Sequence, residues 1–194
     1  MTAETDFRSH WTRLHDLAHR VVPDDGEDSG DAVFLPIGLH VHDPAGPLVE
    51  SDHAATPAGA ITFASTGGDG VHFSAVPAGD ARPVVMTVPM AFENPNHVVG
   101  ADLPEFLALG CRTGYSALER LAYSWGAPEV IRSLQAAVPV RDSFEQGLLT
   151  ALVVEFDLEP WRDPAARLAS LGTAYRSATR PRLRRGPRPG EPLM

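Results

Sequence analysis

The chain reads as an α+β protein: a mixed, largely antiparallel sheet, with an N-terminal helix and a C-terminal helical half packed on it. Three observations predict that class. Apolar side chains recur at helical spacing near the N-terminus, Pro and Gly break the chain into short apolar runs as far as Gly100, and helical spacing then returns. Strands are segregated from helices, which argues against a doubly wound sheet.

Phe7, Trp11, Leu14, Ala18 and Val21 fall at alternating spacings of four and three, one face of an amphipathic helix. The helix ends before Pro23, and Asp24 to Asp31 is an acidic, Gly-containing loop. Val33 to Val41 reads as an extended segment interrupted at Pro36 and Gly38, and Ala60 to Ala64 as a second one. The clearest strands are Val71–Val76 and Val84–Val88. They flank the turn-rich Pro77–Pro83 connection and read as an antiparallel pair. His97 to Val99 adds a short strand. Alternation sets Val71, Phe73 and Ala75 on one face of their strand and His72, Ser74 and Val76 on the other. If the C-terminal helices cover the first face, the second is a mixed polar and apolar surface open to a partner, unless the N-terminal helix covers it.

The helical half opens at Asp102, with Glu105 three residues on and Pro104 in the first turn, a capping pattern ahead of Leu103, Phe106 and Leu107. Tyr115, Leu118, Leu121, Ala122 and Trp125 read as a helix closed by Gly126 and Pro128. Asp142 and Glu145 repeat the cap before Leu148, Leu149, Leu152, Val153 and Phe156, and Asp163-Pro164 opens a last helix with Leu168, Leu171 and Tyr175. Residues 1–180 form one domain, and 181–194 an Arg/Pro/Gly-rich tail expected to be disordered.

A chain of 194 residues, 43% hydrophobic, can build one core without metals or disulfides. A single cysteine, Cys111, excludes an internal disulfide and a multi-cysteine zinc site. No run reaches the roughly 18 apolar residues of a membrane span. Met1 to Asp6 lacks the cationic and apolar regions of a signal peptide, so a cytoplasmic protein with no membrane partner is expected. The sequence has no lysine, and all 16 of its Lys and Arg side chains are arginine. A Schiff-base, P-loop or kinase-type lysine is therefore excluded. The formal net charge is -9, and because Arg180, Arg182, Arg184, Arg185 and Arg188 cluster at the end, the body is more acidic still. Such a body repels phosphate backbones and suits a basic partner.

No catalytic signature emerges. Thr66-Gly67-Gly68-Asp69-Gly70 has the glycines of an anion cradle but precedes a strand, so it reads as a tight turn needing positive φ. His40 and His42 share a strand face, and with Asp43, His53, His72 or His97 they form the metal alternative, at no specific ligand spacing. His15 and His19 are suitably spaced on a helix. Ser116 lacks the second glycine of a nucleophile elbow. Cys111 has no neighbouring base and reads as a small buried group. Glu155, Asp157 and Glu159 read as solvated charges at a helix end. The arginine-rich tail offers phosphate contacts without aromatic stacking, so nucleic acid is a minor expectation. No enzyme activity and no cofactor are expected.

The run Phe63-Ala64-Ser65-Thr66-Gly67-Gly68-Asp69-Gly70-Val71-His72-Phe73 resembles a segment typical of the SUKH superfamily, which includes yeast cell-wall-assembly regulators and bacterial immunity proteins. The Pro83–Met90 strand, the Asn94–Gly100 link, the Asp102–Leu107 helix start and the Phe156–Pro160 segment fit in the same order, so the resemblance covers roughly Phe34 to Tyr175. It implies a non-enzymatic protein-binding module, in bacteria an antidote that neutralises a cognate toxin such as a nuclease by direct contact. It brings no catalytic set. Gly67, Gly68 and Gly70 are implied as loop-defining, and Asp69 and His72 as partner-contact or loop-stabilising residues; Ser74 joins the expected partner contacts from its place on the second strand face. A homodimer is compatible with this reading. The alternatives are a histidine-based metal-binding protein or hydrolase using His40, His42 and His72, and a nucleic-acid accessory protein acting through the tail.

Overall fold

The computed structural model describes residues 2–21, 32–47, 53–136 and 143–181. The expected acidic loop at Asp24–Asp31, the cap at Asp142 and the tail from residue 182 onward lie outside the described residues.

Helix α1 spans Ala3–Arg20. Thr2 caps it, its hydroxyl accepting from the Thr5 N–H at 3.3 Å, and Glu4 and Asp6 sit in the first turn, where the helix dipole favours negative charge. The expected stripe is buried at Phe7, Trp11, Leu14 and Ala18, joined by Leu17, while Val21 is the half-buried C-cap.

Five strands follow: β1 (His40–Val41), β2 (Ile61–Ser65), β3 (His72–Ala75), β4 (Val84–Thr87) and β5 (Asn96–Gly100). They lie side by side in chain order, and every neighbouring pair is antiparallel. The sheet of described strands is thus a plain meander, with no parallel pair. Just before β1, Pro36 and Gly38 do more than interrupt an extended segment: Leu35–Ile37 is a 3-10 turn ended by Gly38 at φ 79°. An irregularity between Thr62 and Ala64 lets Phe63 and Ala64 enter the same core, which strict alternation forbids. A second one lies in the β4–β5 pairing between Val84 and Val85, and Val98 and Val99 keep the ordinary alternation into opposite cores.

The helical half comprises α2 (Leu103–Gly110), a 3-10 stretch at Ser116–Ala122, α3 (Ala127–Gln135), α4 (Ser143–Phe156), α5 (Pro164–Ala174) and a 3-10 turn at Arg176–Thr179. Asp102 caps α2 as expected, accepting from the Glu105 N–H at 2.8 Å. Glu105 returns a carboxylate oxygen to the Ala101 N–H and holds Arg167 of α5 at 2.7 Å. Asp163 caps α5 through the Ala166 N–H. The helix expected from Tyr115 to Trp125 is a correction. It is a short 3-10 stretch, and Pro128 opens α3 instead of closing its predecessor, because the first turn of a helix tolerates a missing N–H. No described helix is long and apolar enough to cross a membrane.

The sheet has two unlike faces. Phe63, Phe73, Ala75, Met86 and Val99 join the side chains of α1, α2 and α4 in the main core. Phe106 of α2 sits at its centre, its ring 4.7 to 5.8 Å from those of Phe73, Tyr115 and Phe63. The opposite face carries Val76, Val85 and Val98 beneath Leu171 of α5 and Ala178 of the final turn, forming a smaller second core.

Candidate functional site

The turn after β2 is built as its glycines predict, with one exception. Gly67, Asp69 and Gly70 adopt φ 81°, 51° and 70°. A Cβ on Gly67 would lie 2.6 Å from Leu35 Cδ1, and one on Gly70 2.9 Å from His53 Nε2. Gly68 has neither a positive φ nor a neighbour within 4 Å, so nothing in the fold requires glycine there. The Thr66 N–H donates to the Val71 carbonyl and the Val71 N–H to the Gly68 carbonyl, so both are used inside the turn. Asp69 stands exposed at its tip.

His72 and Ser74 are not on an open surface. They are 4% and 0% exposed, and the sheet face that carries them is closed by α5, the final turn and the segment at 53–57, not by α1. The closure is a hydrogen-bonded strip. His72 Nδ1 lies 2.8 Å from the Gly70 carbonyl, which only accepts, so the ring proton is on Nδ1. Nε2 then accepts from the Thr56 hydroxyl at 3.1 Å. Burial holds the His72 pKa below its ordinary value. The Gly70 carbonyl opposes this, and His53 and His42 add smaller contributions in the direction of burial. Thr62 and Ser74 share a hydrogen bond of 2.9 Å across β2 and β3. Asn96 accepts from the Thr87 hydroxyl at 2.8 Å and donates to the Ala55 and Thr179 carbonyls at 2.8 and 3.1 Å. His72, Thr87 and Asn96 are cross-strand neighbours, one polar row that straps two distant segments to the sheet.

The remaining candidates converge on no reactive centre. His40 and His42 lie with ring centroids 5.7 Å apart, and both nitrogens of His72 are engaged as described. Among the described residues no three His, Cys, Asp or Glu side chains group so as to hold a metal ion. Cys111 is buried, and burial pushes its thiol pKa up, away from the nucleophilic thiolate. Ser116 is in the 3-10 stretch. The Glu155 carboxylate bonds Arg13 at 2.7 Å and Arg20 at 2.6 Å, and the Arg13 hydrogen bond draws its pKa down, which suits an ion pair and not a general acid. A cleft of about 320 Å³ between β5, α3 and α5 has His97 as its single titratable lining residue.

The feature that stands out is on the surface, and sequence periodicity missed it. Met90, Phe92 and Trp125 are 59%, 81% and 69% exposed, and they line one groove together with Tyr123 and Glu93. Met90 and Phe92 come from the β4–β5 turn, held by the Val88, Ala91 and Asn94 N–H groups bonding to Pro95, Val88 and Ala91. Trp125 precedes α3. Its ring stacks on Tyr123 at 5.5 Å and 20°, with the Arg120 guanidinium 5.5 Å from its centroid and Arg120 ion-paired to Glu129. The indole is therefore held in place by contacts within the chain. One signal was available: Phe92 lies in Met-Ala-Phe-Glu-Asn-Pro-Asn, where no strand alternation can turn it inward. A scan against family models, a search of curated proteins and a search of solved structures each returned no match.

Proposed function

We propose that the protein is a non-enzymatic protein-binding module of the SUKH kind, acting in the bacterial cytoplasm as an immunity protein that neutralises a toxin effector such as a nuclease by direct contact. The observation that carries this reading is the Met90, Phe92 and Trp125 groove, since aromatic and methionine side chains exposed together are the composition of an interface core. Its occupant is a basic protein surface. Glu93 lies in the groove lining and the chain carries a formal net charge of -9, so an approaching cationic partner is steered in and an acidic or phosphate-rich one is repelled.

The test is co-expression with the toxin encoded beside the gene, followed by affinity measurement on the purified pair. A stoichiometric complex is expected, with salt-sensitive association. Trp125→Ala should weaken it by about 2 kcal/mol, roughly thirtyfold, without changing the thermal midpoint of the free protein. No complex with that toxin, and no rescue of cells expressing it, defeats the reading. A complex that Phe92→Ala and Trp125→Ala leave unchanged moves the interface elsewhere.

A further inference from the structure

We infer that the groove at Met90, Phe92 and Trp125 takes an arginine side chain of the partner protein, its guanidinium stacked on the Phe92 ring and paired with the Glu93 carboxylate. This rests on reading that groove as the partner-contact surface. The chain fills two sites of the same make-up from within. Arg13 lies 4.9 Å over the Phe156 ring while its Nε donates to Glu155 at 2.7 Å. Arg120 lies 5.5 Å from the Trp125 centroid and is ion-paired to Glu129. Phe92 and Glu93 are a third aromatic ring with a carboxylate beside it, both exposed and both lining the groove. Among the described residues, no guanidinium stacks on Phe92 and no cation pairs with Glu93.

The chemistry of the lining selects arginine over other occupants. An apolar side chain would strip water from Glu93 without returning a counter-charge, and that loss works against the apolar contact. A lysine ammonium brings the charge, but it is compact and strongly hydrated, with no flat face for a ring. A guanidinium is planar and more weakly hydrated, stacks on aromatic faces and gives a carboxylate two parallel N–H bonds. Its methylene stem can lie along Met90, which is 59% exposed. The electrostatic field favours the same occupant. No described basic residue lines the groove, Arg120 is tied to Glu129, and the chain carries a formal net charge of -9.

Titration of the full chain with N-acetyl-arginine amide at low salt, followed by NMR, is a test that needs no toxin. The Trp125 indole and Glu93 amide signals should move on one saturating curve. The lysine analogue should bind at least about threefold more weakly, and the uncharged norleucine analogue should not saturate. Glu93→Gln and Phe92→Leu should each weaken arginine binding by about three- to fivefold. Asp80→Asn, which removes an equal charge from the exposed β3–β4 turn, should leave it unchanged. An arginine curve that Glu93→Gln and Phe92→Leu do not move, equal binding of the norleucine analogue, or no saturation at all overturns the assignment. So does self-association of the chain that Glu93→Gln abolishes, since the arginine would then belong to a second copy. Saturation by arginine with no complex from the neighbouring toxin defeats the immunity reading and upholds this one. A toxin complex sensitive to Trp125→Ala, with no arginine preference in the groove, does the reverse.

Discussion

The two faces of the sheet are held down by different physics. Under α1, α2 and α4 the contact is almost wholly apolar, with the Phe106 ring in contact with those of Phe63, Phe73 and Tyr115. Under α5 and the final turn there is a small apolar cluster beside a row of hydrogen-bonded side chains: Thr56, Thr62, Ser74, Thr87, His72 and Asn96. Apolar burial supplies energy without direction, whereas a buried polar group is tolerated only in the one arrangement that satisfies it. The first face therefore gives the domain its stability, and the second fixes which distant segments close over it.

The largest effect expected from this contrast is on the apolar side. Phe106→Ala removes the ring that touches Phe63, Phe73 and Tyr115 and should destabilise the fold by about 3–5 kcal/mol in chemical denaturation. A loss below ~1 kcal/mol would mean the central ring cluster does not carry the core.

On the polar side the smaller Asn96→Ala should cost about 2–3 kcal/mol, because three hydrogen bonds vanish and the Thr87 hydroxyl is left buried without its acceptor. The signature matters more than the size. Amides near Ala55 and Thr179 should exchange faster with solvent while the α1–α2 core stays protected. Uniform loss of protection would show that the two faces unfold as one.

Much of this arrangement was legible from residues whose role is local. Asp102 and Asp163 announce helix starts because a carboxylate three residues ahead of an N–H bonds it whatever lies around. The β3–β4 hairpin follows from two apolar runs about a Pro- and Gly-bounded turn, and the alternation through His72, Phe73 and Ser74 assigned their faces correctly. Tertiary placement was not legible. The sequence of α5 does not say which sheet face it covers, so His72 and Ser74 read as surface when Leu171 and Thr56 enclose their face. Trp125 matched a helical stripe by spacing, yet Gly126 and Pro128 end one turn and begin another, and the indole is left outside. An apolar residue counts as core until three-dimensional packing shows otherwise, and the candidate interface lay hidden for that reason.

The smallest effect separates the faces by pH. His72 is neutral in the fold, and burial holds its pKa below the ordinary 6.5 it regains on unfolding. Between those two values the unfolded chain binds more protons than the native one, so stability increases with pH across that window. The contribution of the neutral ring is therefore complete above pH ~6.5 and is lost as the pH falls below that value through the folded-state one. Protonation puts a hydrogen on Nε2, which must then point at the Thr56 hydroxyl, and that hydroxyl has to turn its own hydrogen away. Because the Gly70 carbonyl still accepts from Nδ1 in either state, part of the penalty is offset and the effect stays modest. His72→Gln should consequently flatten the decline in unfolding free energy on acidification relative to the wild type, whereas Phe106→Ala should lower the curve and keep its slope. His97, also held low by burial, remains in both proteins and so cancels from the comparison. Equal slopes for wild type and His72→Gln would mean that the polar strip does not depend on a neutral imidazole.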